Sequence, residues 1–236
     1  MRDKIKDKQY FEDLLKEEEK NIKMFKSAVQ KRMKEKGEAD RGVHNGYSIL
    51  INSYQNLVNL LYSCGADLKT IEDCYKEFLP YYNQMWNRKY GYIELVKVLS
   101  LSVLFEIDKG CISELEERLR NDRFDDFLAN VLIKRVDPSW ENQGTEFEFP
   151  GIYDDLKAIL DNKESEQIAL LKNYLQSQWY NIHKECSWFN SHLSKYNNYY
   201  GYWSFEAGAV AKILHLDDSS LKDVPYYPYD LVHYKE

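Results

Sequence analysis

The stretch Ile93–Ile107, IELVKVLSLSVLFEI, decides the fold class. On a helical wheel its apolar residues occupy nearly every side, with Leu95, Val96, Val98, Leu99, Leu101, Val103, Leu104 and Phe105 spread around the axis. A globular chain accommodates such a helix only where other elements surround it. A membrane span needs roughly 20 apolar residues. This run is shorter and contains Glu94, Lys97 and Glu106, so it reads as a core helix, about 90–107. Its neighbours must then be amphipathic.

Working outward, residues 7–36 carry Phe11, Leu14, Leu15, Ile22, Phe25, Val29 and Met33 at helical spacing, with Gly37 as the stop. Residues 44–64 repeat the pattern with Tyr47, Leu50, Ile51, Tyr54, Leu57, Val58 and Leu61, ending at Gly65. Asp67 caps a third helix, in which Pro80 imposes a bend. Beyond the central helix, Ser113 and Glu116 have capping-box spacing, and Asp122 is placed to cap a helix running to Val136. The stretch Asp137–Pro150, DPSWENQGTEFEFP, loses periodicity and reads as a surface loop, with a short extended piece at Thr145–Phe149. Helices resume over 151–161 and 164–184, a polar, aromatic loop covers 187–199, and a last helix covers 201–214. In it Ala207, Gly208, Ala209 and Ala211 let a neighbour approach closely. The fold class expected is all-α, with about nine mostly antiparallel helices in a compact helical bundle and a long aromatic C-terminal tail. A stack of helical hairpins is the alternative arrangement.

Composition narrows the function. The chain has 236 residues, enough to bury a core without covalent staples. Its four cysteines are scattered without a CxxC pair, and the charged start MRDKIKDKQYF lacks a signal-peptide core, so the expected location is cytoplasmic. With 32 Lys and Arg against 39 Asp and Glu, the net charge is −7. That balance argues against direct nucleic-acid binding, which needs a basic footprint, and for a basic partner. Residues 137–166 alone hold 9 acidic residues against Lys157 and Lys163, matching the whole net charge. The chain also has 20 tyrosines and 5 tryptophans, residue types that recur at contact surfaces and in half-buried helix packing.

No constellation of catalytic residues emerges. His183, Glu185 and Cys186 echo part of a zinc-deaminase element but lack its paired cysteines. His183, Cys186 and His192 match no closed metal site. Ser219 or Ser220 with Asp230 and His233 contains the types of a nucleophilic triad without the strained elbow that exposes such a serine, and Asp217–Ser220 reads as a capping turn. Glu206, in a helix that is otherwise apolar, needs a buried partner. The expectation is a protein that is no enzyme and holds no cofactor and no metal.

Four runs carry a resemblance. They are Tyr199–Leu214, YYGYWSFEAGAVAKIL, followed by HLDDSSLK; Pro225–His233, PYYPYDLVH; the opening residues 1–11; and Trp179–His192. Together they resemble the PoNi-type immunity proteins of bacterial polymorphic toxin systems. The resemblance implies an N-terminal region, 1–121, and a C-terminal region, 122–236, carrying the YGYWSFEAGA and PYYPYDLVH motifs. It also implies neutralisation of a cognate PoNe-type DNase toxin of the PD-(D/E)xK class, by stoichiometric binding. Tyr200, Gly201, Tyr202, Trp203, Phe205, Glu206, Gly208, Asp217, Asp218, Pro225, Tyr226, Tyr227, Tyr229 and Asp230 then read as scaffold, because immunity proteins vary their contact surfaces to match one toxin. The interface is expected in the acidic, aromatic segment, at Trp140, Glu141, Glu146, Phe147, Glu148, Tyr153, Asp154 and Asp155. The competing reading is a helical adaptor without a toxin partner.

Overall fold

The computed structural model describes residues 1–235, with the backbone alone at Tyr90. Among these residues every regular element is helical: α1 Lys8–Lys36, α2 Arg41–Cys64, α3 Leu68–Met85, α4 Tyr92–Leu104, α5 Ser113–Asn121, α6 Phe127–Val136, α7 Asp154–Leu160, α8 Glu164–Asn173, α9 Trp179–Ile182, α10 Phe205–Leu214 and α11 Tyr229–Val232. The fold class is all-α, as expected. The count exceeds nine because α9 continues α8 through a π-turn at Tyr174–Gln178, and α11 is a single turn.

Two compact units form, one from residues 1–86 and 190–202, the other from 87–189 and 203–236. This spatial division does not run along the sequence-region boundary near residue 121. The first unit is built on three long helices in which α2 packs on both α1 and α3. Phe11, Leu14, Ile22 and Val29 of α1, Leu50, Ile51 and Tyr54 of α2, and Ile71, Tyr75 and Phe78 of α3 are buried. A Cβ added at Gly46 would lie 2.2 Å from Val29 Cγ2, so the glycine sets how closely α1 and α2 approach. The chain start and the 190–202 segment finish the unit through polar contacts. Arg2 and Asp3 donate their backbone N–H groups to Ser63 O, Tyr199 Oη donates to Asp3 Oδ2 (2.5 Å), and Tyr199 N donates to Tyr10 Oη (3.0 Å).

In the second unit α4 packs against α6 and α10, with Leu95, Val96, Val98, Leu99, Val103 and Leu104 all buried, as its uniform apolarity requires. Gly208 lets α10 lie close to α11; an added Cβ would be 2.6 Å from Pro228 Cγ.

Several helix ends differ from expectation, each for a local reason. Asp40 accepts from Gly42 N and Val43 N, so α2 starts at Arg41 rather than near 44. The capping box at Ser113 does not form: Ser113 Oγ donates back to Gly110 O, and Glu116 instead pairs with Arg120. Asp122 ends α5 and binds Arg88, while Asp126 caps α6 by accepting from Ala129 N. The 145–149 piece is irregular backbone with bends rather than a strand. Gly201, with φ of 100°, and the following non-helical residues delay the last long helix to Phe205.

Candidate partner interface

Residues 137–163 leave α6, cross the surface of the second unit and form α7. Two carboxylates at the start of α6 pin this loop. Asp126, fully buried, accepts from Ala129 N (2.9 Å), Glu148 N (2.9 Å) and Tyr92 Oη (3.0 Å), and its desolvation raises its own pKa while these donors oppose the rise. Asp125 accepts from Asn130 Nδ2 (2.7 Å) and Gly144 N (3.0 Å). Phe127 N also donates to Glu146 O. The loop is therefore a built structure despite its irregular backbone. Neither Asp125 nor Asp126 stood out in the sequence, because a capping aspartate looks the same whether it serves its own helix alone or a distant loop as well.

The eight expected contact residues divide sharply. Trp140 is buried, with Nε1 donating to Asn130 Oδ1 (2.9 Å) and the Arg120 guanidinium 4.5 Å from its ring centroid. Tyr153 is buried beside Tyr92 and His183, and burial drives its phenol well above its ordinary pKa. Phe147 is half-buried, edge-on to Phe127 at 5.5 Å. Glu148 is half-buried and ion-paired with Arg88. Asp155 is half-buried, and Asp154, exposed, accepts from Gly151 N. Glu141 and Glu146 are exposed. Asp161, Glu164 and Glu166, outside the expected set, are exposed as well. Among the described residues Glu141, Glu146, Asp154, Asp161, Glu164 and Glu166 make no ion pair. The segment thus offers free negative charge, while its two largest aromatic rings belong to the core.

Within the second unit, several scaffold residues gather around two buried carboxylates. Glu206 Oε1 accepts from Trp179 Nε1 (2.5 Å), Ser204 Oγ (2.8 Å) and Tyr174 Oη (3.4 Å). The π-turn lies directly between Tyr174 and Trp179, and the extra residue it admits per turn places both donors on the same acceptor. Asp218 accepts from Tyr227 Oη (2.5 Å) and pairs with His233 Nε2 (2.8 Å). Around them Tyr226 stacks on Tyr180 and lies tilted against Trp179, and Phe205 and Gly208 are buried in α10. Tyr202, in the first unit, holds Ser191 and His192 through its hydroxyl, and burial pushes the neighbouring Tyr200 phenol up to about 12. Gly201 and Trp203 are half-buried and Tyr229 stacks on His233, whereas Asp217, Pro225 and Asp230 are exposed. Asp217 accepts from Ser219, which lowers its pKa.

The same geometry answers the chemical candidates. The carboxylate on His233 is Asp218, from the stretch read as a capping turn. His183 Nδ1 lies 2.7 Å from Trp179 O, and burial raises the Cys186 thiol to about 11, which disfavours the nucleophilic thiolate. Among the described residues no group of three or more His, Cys, Asp or Glu side chains is placed to hold a metal ion, and no helix is long and apolar enough to cross a membrane.

Comparison with known proteins places the chain in a family. The family model described as PoNe immunity protein (PoNi), N-terminal, matches residues 2–117, and the model described as PoNe immunity proteins (PoNi), C-terminal, matches residues 124–231. The chain belongs to the PoNi family of immunity proteins. Both PoNi regions are present in order and cover nearly the whole chain. No curated protein and no solved structure matches it. The residues read as PoNi scaffold include Glu206 and Asp218, and each organises several neighbours in the core.

Proposed function

We propose that this PoNi protein neutralises a cognate DNase toxin by stoichiometric binding in the cytoplasm, without chemistry of its own. The observation that carries the reading is the ordered match of both PoNi regions along the chain. Supporting it, the exposed carboxylates at Glu141, Glu146, Asp154, Asp161, Glu164 and Glu166 give one stretch of surface a negative field. A nuclease must present basic groups to DNA, and opposite charge on the inhibitor both speeds encounter and competes for that surface.

Co-expressing the toxin domain encoded beside this chain tests the reading. Protection of the host and an equimolar complex are expected; persistent toxicity with soluble protein and no complex would overturn it. Within the complex, reversing Glu141, Glu146 and Asp154 to lysine should slow association about tenfold at low salt and flatten its salt dependence. Association rates indistinguishable from the unmodified protein would remove the acidic segment from the interface.

A further inference from the structure

In the first unit α1 and α3 flank α2, and an open groove of about 590 Å³ runs between them. Ile22, Tyr54, Leu57 and Leu61 give it an apolar floor. Its rims carry Glu19 on α1 and Asp73 and Glu77 on α3. One strap crosses the groove: Glu77 Oε2 accepts from both Lys26 Nζ (3.0 Å) and Tyr54 Oη (2.9 Å), and these two donors hold Glu77 below the ordinary carboxylate range.

Acceptor capacity remains. Glu77 Oε1 has no protein donor among the described residues, Asp73 pairs with Lys69 Nζ through Oδ1 (2.6 Å) and keeps Oδ2 open, and Glu19 has a donor on neither oxygen. The Asp73 and Glu77 side chains are 60% and 61% exposed, so a partner can reach them. Lys26 is already engaged by Glu77, leaving Lys23 as the opposing charge on the lining. Unfilled carboxylate oxygens above an apolar floor match a side chain with a long hydrocarbon stem and a cationic head. Arginine fits best, since its planar fork can engage two carboxylates and it is frequent among the anchors of protein interfaces.

We propose that this groove seats an arginine or lysine of the toxin, with its stem on Ile22, Leu57 and Leu61 and its head among Glu19, Asp73 and Glu77. The proposal rests on the toxin-binding reading and deepens it. In the acidic segment of the second unit Trp140 and Tyr153 are buried and Phe147 is half-buried against Phe127, so that segment offers charge without its two largest expected anchors. The groove offers both an apolar seat and acceptors. Long-range attraction then governs how fast the partners meet, and the groove governs how long they stay.

The test uses the full chain and the toxin domain encoded beside it. Thr70, exposed on the α3 rim, is replaced by tryptophan to fill the groove, and a second variant carries Glu19→Lys with Asp73→Lys. Both should dissociate from the toxin at least about tenfold faster with unchanged thermal midpoints. In the unmodified protein, hydroxyl-radical labelling of Leu61, a part-exposed side chain on the groove lining, should fall when the toxin is bound, as followed by peptide mapping. This second readout stands even if a variant misfolds. Unchanged dissociation of folded variants, or unprotected Leu61 in a formed complex, overturns the groove and leaves the family reading intact. Absence of any complex with the unmodified chain overturns both.

Discussion

The two units solve the problem of a helical core in different ways. The first has 16 Lys and Arg against 14 Asp and Glu; the second has 16 against 25, so the whole acidic excess belongs to the second. Long amphipathic helices make the first, and their apolar stripes alone account for most of its buried residues. Shorter helices and a built loop make the second, which relies on the buried carboxylates Asp126, Glu206 and Asp218, each collecting several donors, where the first has Asp3 in that role at its start. Periodic burial leaves one face of a helix free for other uses, such as the groove. Carboxylate hubs draw neighbouring aromatic side chains inward and leave the remaining acids at the surface.

The sharpest way to break this contrast is to remove one carboxylate from each unit. Glu206→Ala would strand the donors of Trp179, Ser204 and Tyr174 inside the second unit, and should cost about 3 kcal/mol or more in urea unfolding. Glu77→Ala in the first unit, at an exposed ion pair, should cost about 1 kcal/mol or less. Equal losses would end the distinction between hub and strap.

Close approach is a property the units share, and substitution should show it. Gly46→Ala places a methyl group against the stiff branched side chain of Val29, and Gly208→Ala places one against the Pro228 ring. Each should destabilise by about 1–3 kcal/mol, despite alanine's better helix propensity. A stabilised variant would show that the helices separate at little cost. Next in size, Asp126→Asn weakens acceptance at α6 and at Glu148 N, and should lower stability by about 1–2 kcal/mol. Amide exchange should then accelerate over 141–149 before it does so in α4.

A pH dependence in the second unit adds a further test. Burial pushes the Lys97 ammonium on α4 down to about 8, while Glu94 on the same helix and Glu206 on α10 pull it upward; Phe205 lies beside it. Because the folded pKa is below the ordinary lysine value of about 10.4, the unfolded chain binds more protons between these limits. Stability contributed by this group is therefore lost as pH falls through 8 and rises with pH above it. Subtracting the profile of Lys97→Met from that of the unmodified protein isolates this slope from the tyrosines; a flat difference between pH 8 and 10 would remove Lys97 as its source.

Legibility followed the same divide. In α1–α3 the apolar spacing, Asp67 and the stop glycines Gly37 and Gly65 named the elements closely, since local caps and a single stripe suffice to specify them. The Asp122 and Ser113 readings failed where several residues could cap and three-dimensional contacts chose among them. Trp140 and Tyr153 illustrate the harder case. Their residue types suit a contact surface and a core equally, and Asn130 and Tyr92, 10 and 61 positions away in sequence, decide for the core.

By itself the sequence determined that the protein is helical, that α4 is surrounded, that the net charge is negative and that the motifs resemble PoNi. These are consequences of periodicity, composition and local residue order, which need no knowledge of distant neighbours. Only the tertiary structure decided that Asp126, Glu206 and Asp218 are hubs, that the segment 137–166 exposes its acids while burying its largest rings, and that a groove opens over α2. Burial and hydrogen-bond satisfaction depend on which remote residues arrive at the same place, and packing settles that.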